Sequence, residues 1–166
     1  MSKIYVLKRV QRLPVSPEAA WDFFSHPKNL AALTPASLNL KFTNELFGDG
    51  MYPGQLITYN VKPVLGIPLF WMTEITHVQK PHFFVDEQRR GPYALWHHEH
   101  HFKPITGGVE MTDLVHYALP LGPLGRLAHS LFIKRQLEQI FAYRFEKTEA
   151  LFGKLEGTAA VAAVRA

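Results

Sequence analysis

The run His97-His98-Glu99-His100-His101 sets five ionisable side chains in a row, and the chemistry open to it depends on the element that carries it. In a strand, alternate residues face opposite sides. Ala94, Trp96, His98, His100 and Phe102 then share one face, and Tyr93, Leu95, His97, Glu99 and His101 share the other. The first face brackets two histidines with Trp and Phe and is read as the interior. If Pro104 to Gly107 form a four-residue turn, the next strand folds back with Lys103 opposite Gly108. Phe102 then faces Val109, His100 faces Met111, His98 faces Asp113, Trp96 faces Val115 and Ala94 faces Tyr117. Asp113 is the only carboxylate of this inner face. A one-residue slip would scramble the division between faces.

An inward His opposite an Asp supports three kinds of chemistry. The pair can satisfy two polar groups inside an apolar sheet. Alternatively, His98, His100 and Tyr117 can offer donors and acceptors to the polar end of an otherwise apolar ligand. In the third case Asp113 orients His98 as a general base, making His98 and Asp113 the candidate catalytic residues. The carboxylate favours protonated His98, and burial opposes it. A His-x-His pair with a carboxylate across from it also has ligand types suited to zinc. Such pairs arise easily among nine histidines, so no resident metal and no cofactor are expected.

The elements that must position these residues are legible in outline. Ile4 to Leu13 alternates apolar and basic residues and reads as a strand. Ser16-Pro17 is a helix start, with a capping hydroxyl and proline at the first helical position. Pro27 stops that helix and can begin a second, which Pro35 closes. From Leu38 to Ala118, β-branched and aromatic runs alternate with turn signals such as Gly48-Asp49-Gly50, Pro53-Gly54, Gly91-Pro92 and Gly107-Gly108. Six strands are expected, near 38–44, 55–63, 69–79, 82–89, 93–103 and 108–118. After Pro120-Leu121-Gly122-Pro123 the period becomes helical. Leu124, Leu127, Ala128, Leu131 and Phe132 make one stripe; Leu137, Ile140, Phe141, Leu151 and Phe152 make another in a different direction. One straight helix cannot point both at one core, so a kink near 130–135 is expected. The period ends at Gly153, leaving 154–166 as a loose tail. The fold class that satisfies these parts is α+β: a curved seven-stranded antiparallel sheet, two short helices after the first strand, and a long C-terminal helix over the sheet. Residues 1–153 are expected to form one domain.

Composition narrows the function. At 166 residues, 47% apolar and 19% charged, the chain can bury a sizeable core. It has no cysteine, so disulfides and thiolate chemistry are excluded. No continuous apolar stretch suits a signal peptide or a membrane-crossing helix, and a cytoplasmic protein without stable membrane insertion is expected. The net charge of +4 is spread along the chain, so no nucleic-acid partner is expected. No phosphate-cradling loop, dinucleotide fingerprint or G-x-S-x-G elbow is present.

The segments S-P-E-A-A-W-D-F-F (Ser16 to Phe24), N-L-A-A-L-T-P (Asn29 to Pro35), G-P-Y-A-L-W-H-H-E-H-H-F (Gly91 to Phe102) and T-D-L-V-H-Y-A-L-P (Thr112 to Pro120), with the closing helix, resemble the SRPBCC superfamily of START-like, helix-grip proteins. That group includes polyketide cyclases and plant pollen-allergen proteins, and the nearest branch is bacterial and often labelled cell-division inhibitor. The resemblance implies a deep cavity between sheet and C-terminal helix, lined or bordered by Trp96, His98, His100, Phe102, Asp113 and Tyr117. Leu124 and Phe132 would then contribute to its mouth. The expected partner is a small hydrophobic ligand, such as a lipid, polyketide or isoprenoid-like compound. A cyclase or hydratase using His98 and Asp113 is the alternative, and a ribosome- or membrane-associated factor a second.

Overall fold

The computed structural model describes residues 3–45, 50–64, 66–155 and 161–165. The strands are β1 (Ile4–Leu13), β2 (Lys41–Phe42), β3 (Gln55–Val64), β4 (Ile67–Gln79), β5 (Phe83–Arg90), β6 (Leu95–Ile105), β7 (Gly108–Ala118) and β8 (Val161–Arg165). They pair antiparallel throughout, in the order β2-β3-β4-β5-β6-β7-β1-β8. Strands β2 to β7 form a meander whose last strand joins the first of the chain. Register shifts between Val61 and Val64 in β3, and along β4 beside β5 at Met72/Thr73 and Ile75/His77, mark bulges. Bulges bend a strand and increase its twist, letting a sheet curl around its contents. The seven expected strands are all present, although the second shrinks to Lys41–Phe42. Within the stretch expected to be a loose tail, Val161–Arg165 form β8, whose backbone pairs with Val6–Val10 of β1. The expected turn at Gly48-Asp49-Gly50 falls partly on residues 48 and 49, outside the described residues.

Helix α1 (Pro17–Phe24) begins as its sequence dictates: Ser16 Oγ accepts from Ala19 N at 3.1 Å and proline follows the cap. Ala20, Trp21 and Phe24 form its buried face. The second expected helix, from Pro27 to Pro35, shrinks to the 3-10 turn Pro27–Leu30, and a further 3-10 turn, Ala36–Leu38, follows Pro35. Trp21 and Phe24 pack with Phe84, Phe102, Leu13 and Met111 to make a solid core at one end of the sheet. The C-terminal helical region has three parts: α2 (Gly122–Ala128), a π turn over His129–Ile133, and α3 (Lys134–Phe152). The π turn falls where the two apolar stripes change direction. Leu137 and Phe141 of α3 are buried against the sheet, whereas Leu124, Leu127 and Leu131 are exposed. Gln11 Nε2 on β1 donates to the Phe145 carbonyl, and Gln136 donates to the Pro63 carbonyl, so α3 is tied to strands on both sides of the sheet. Among the described residues no helix is long and apolar enough to cross a membrane.

The hairpin between β6 and β7 corrects the register expected from sequence. The turn is two residues, Thr106 and Gly107, with Gly107 at φ 81°, a left-handed conformation that glycine adopts without strain. Leu95 therefore faces Ala118, Trp96 faces Tyr117, His98 faces Val115, His100 faces Asp113 and Phe102 faces Met111. The whole pairing moves by two residues. Because the side-chain period is also two, every residue keeps its expected face.

Candidate functional site

A cavity of about 180 Å³ lies between the sheet and α3. Its walls are mostly apolar, including Leu33, Ile57, Tyr59, Val61, Trp71 and Trp96. Asp86, His98, His100 and Arg144 also border it, grouping its charged chemistry in one patch. Strands β5 and β6 bring three of these together, because Asp86 pairs with His98 and Phe84 with His100 across the ladder. Helix α3 supplies Arg144 from the face that buries Leu137, Phe141 and Thr148.

Two aspartates enclose two histidines. His98 Nε2 donates to Asp113 Oδ1 at 3.0 Å, and His100 Nδ1 lies 2.9 Å from the same oxygen. On the other side, His100 Nε2 is 2.8 Å and His98 Nδ1 3.4 Å from Asp86 Oδ2. The two imidazoles stand 3.7 Å apart between centroids, and His100 stacks on Phe84 at 4.1 Å. Arg144 Nη2 approaches Asp113 Oδ1 at 3.5 Å and His100 Nδ1 at 3.4 Å. Burial alone would raise the Asp113 pKa, but Arg144 and the hydrogen bonds from His100 and His98 outweigh it and hold the carboxyl well below its usual range. The same contest lowers Asp86, through His98, His100 and Arg144. The histidines diverge. Burial and the neighbouring His100 push His98 down, while the two aspartates overcome burial at His100 and raise it. The two carboxylates are thus met by Arg144 and by the two imidazoles, of which His100 holds a proton more readily than His98.

The other residues singled out from sequence occupy different surroundings. Asp113 is absent from the cavity wall and sits behind the imidazoles, toward Arg9, Gln11 and Arg144. Phe102 is packed into the solid core against Trp21, Phe24 and Phe84. Leu124 and Phe132 are 68% and 45% exposed and do not line the cavity. His97 and His101, on the outer face, pair with Glu87 at 2.9 Å and Glu99 at 2.8 Å. Tyr117 is fully buried, and its hydroxyl lies 2.8 Å from His129 Nε2. Asp86 and Arg144 escaped the sequence reading. Arg144 could have been found from spacing, since it follows Leu137 and Phe141 by seven and three residues on one helical face.

The His129 pair gives a pH prediction. His129 is buried in the π turn, stacks on Tyr5 at 3.6 Å, and meets the Tyr117 hydroxyl. Burial first, then Lys134 and Lys3, hold its pKa below the ordinary value. The folded state thus favours neutral His129, and this contribution is present above the unfolded-state pKa of about 6.5 and fades as pH falls from there toward the folded value. Urea unfolding of wild type and His129→Gln between pH 7.5 and 5 should show the wild type losing more stability on acidification. Parallel curves would remove His129 from the account.

No family model matches the chain, and no curated protein matches it in sequence. Solved structures do match its fold. Protein Ms6760 from Mycobacterium smegmatis is 17% identical, with a TM-score of 0.63 over 88% of this chain and 89% of that one. Ginseng major latex-like protein 151 from Panax ginseng is 13% identical, with a TM-score of 0.64 over 90% and 97%. A point mutant of norcoclaurine synthase from Thalictrum flavum, solved with a transition-state analogue, is 17% identical, with a TM-score of 0.63 over 91% and 98%. The chain therefore has the helix-grip fold of these proteins: a curved antiparallel sheet gripping a long C-terminal helix.

Proposed function

We propose that the chain binds a small, largely apolar molecule carrying one oxygen-bearing end, in the cavity between sheet and α3. The observation that supports this reading most is the division of the cavity wall into an apolar body and a single charged patch. The buried Nε of Arg144 has no hydrogen-bond partner among the described residues and belongs to a side chain that borders the cavity. It is a donor suited to a carbonyl or carboxylate. Size narrows the ligand. A cavity of roughly 150 Å³ holds a benzene ring, so about 180 Å³ suits a body of one to two rings. Longer lipids, polyketides or isoprenoids require the walls to part. That the matching fold also occurs in a protein solved with a transition-state analogue is in keeping with ligand binding.

Native mass spectrometry and thermal-shift screening against single- and two-ring aromatic acids and their esters test the reading. At least one compound should bind with one-to-one stoichiometry and raise the melting temperature. A library that leaves both readouts unmoved counts against it. A second reading, catalysis by His98 with Asp113 behind it, is favoured by His98 Nε2 bonding Asp113 while the ring borders the cavity. His98→Ala separates the two: loss of turnover with affinity retained supports catalysis, and loss of affinity supports recognition alone.

A further inference from the structure

The sequence offers only Asp113 as a carboxylate beside the His98-x-His100 pair, whereas the structure adds Asp86 on the opposite side of both rings. One ligand atom each from Asp86, His98 and His100 lies within 4.8 Å of the others. We propose that Asp86, His98 and His100 form a binding site for a divalent first-row transition-metal ion of the zinc type, open to the apolar cavity. This goes beyond the ligand-binding reading, which needs no metal.

Three features carry the inference. The first is spacing. Zinc with bonds of about 2.0–2.1 Å in tetrahedral array sets its ligand atoms roughly 3.3 Å apart. Asp86 Oδ2 stands 3.4 Å from His98 Nδ1 and 2.8 Å from His100 Nε2. The second is the arrangement behind the ligands. Metal-bound histidines almost always give their other ring N–H to a carboxylate, carbonyl or water, which fixes the ring and its tautomer. Here the far nitrogens, His98 Nε2 and His100 Nδ1, both lie on Asp113 Oδ1, at 3.0 and 2.9 Å. One carboxylate orients both ligands, and Arg144 at 3.5 Å fixes that carboxylate in turn. The third is access. Asp86, His98 and His100 all border the cavity, so the fourth position of the metal faces the space where a ligand's oxygen would sit. Two histidines and one carboxylate with an open position is the donor set of metal centres that polarise a bound oxygen. Arg144 also borders this patch, and its positive charge is met by Asp113 at the site's rear.

The test uses the full-length, tag-free chain stripped with chelator and titrated with Zn²⁺ and Co²⁺. Calorimetry should give one equivalent of Zn²⁺ bound at micromolar concentration or tighter. Co²⁺ should give a visible d–d band with the intensity of a four- or five-coordinate ion. Asp86→Asn and His98→Gln, each checked for folding by circular dichroism, should weaken Zn²⁺ binding at least tenfold. His97→Ala with His101→Ala, removing histidines that pair with Glu87 and Glu99 on the outer face, should leave it unchanged. Absence of stoichiometric binding overturns the proposal, as does binding that vanishes only in the His97/His101 double variant. Either result leaves binding of metal-free aromatic acids to be judged on its own.

Discussion

Asp113→Ala is expected to cost about 3–5 kcal/mol of folding stability, the usual consequence of removing one partner from a buried charge cluster. Asp113 is buried, its Oδ1 takes hydrogen bonds from both histidines, and Arg144 stands beside it. Without it, Arg144 keeps its charge in a desolvated space with its carboxylate partner gone, and both histidines lose an acceptor. Asp113→Asn keeps the shape and loses the charge, so it should recover little of the loss. Asp113→Ala combined with Arg144→Leu should cost less than the two single losses added together, because the second change removes a stranded charge. Urea unfolding reads these as midpoint shifts at constant slope. A loss under about 1 kcal/mol for Asp113→Ala would show that the cluster is solvated in solution and that its charges do not need one another.

Val61→Phe should lower affinity for a two-ring aromatic acid such as 2-naphthoic acid at least tenfold without lowering stability. Val61 is buried and lines the cavity, so a larger ring at that position takes space from the ligand. An unfilled apolar volume costs on the order of 24 cal/mol per Å³. For about 180 Å³ that amounts to roughly 4 kcal/mol, a large share of the 5–15 kcal/mol by which whole domains are stable. Filling part of it should therefore be neutral or stabilising by about 0.5–2 kcal/mol. The opposite sign, a loss of about 1–3 kcal/mol from overpacking with affinity intact, would place the ligand elsewhere. Calorimetry with 2-naphthoic acid and thermal unfolding of the same samples give both numbers.

The sequence's legibility followed the range of the interaction concerned. Ser16-Pro17 announced α1 because capping is local, and alternation marked β6 and β7 because it needs no partner. The inner face with Trp96, His98, His100 and Phe102 holds although the turn is two residues shorter than the four expected. A two-residue slip returns every side chain to its own side. It does change who meets whom, and so Asp113 pairs with His100 while also bonding His98. Asp86 was harder. Its place depends on the loop from Gly91 to Ala94 and on two bulges in the adjoining ladder, and bulges alter register in a way no periodicity reports. Arg144 is not plainly legible from sequence because a charge in an apolar helical stripe looks like the stripe's end; only a buried counter-charge across the gap makes it an inward residue. The tail's pairing with β1 is non-local, joining the two ends of the chain.

The sheet's outer margins have a bearing on how copies of this protein meet in concentrated solution. Long inner strands expose ready-made pairing groups when they lie at a border, inviting another chain to dock edge to edge and begin a fibre. Here one border is β2, only two residues long and carrying Lys41, and the other is the five-residue β8 laid over β1. Neither offers a stranger much length to grip. Of the long strands, β4, β6 and β7 lie between neighbours, β1 is covered by β8 over Val6–Val10, and β3 meets β2 at Tyr59 and Asn60.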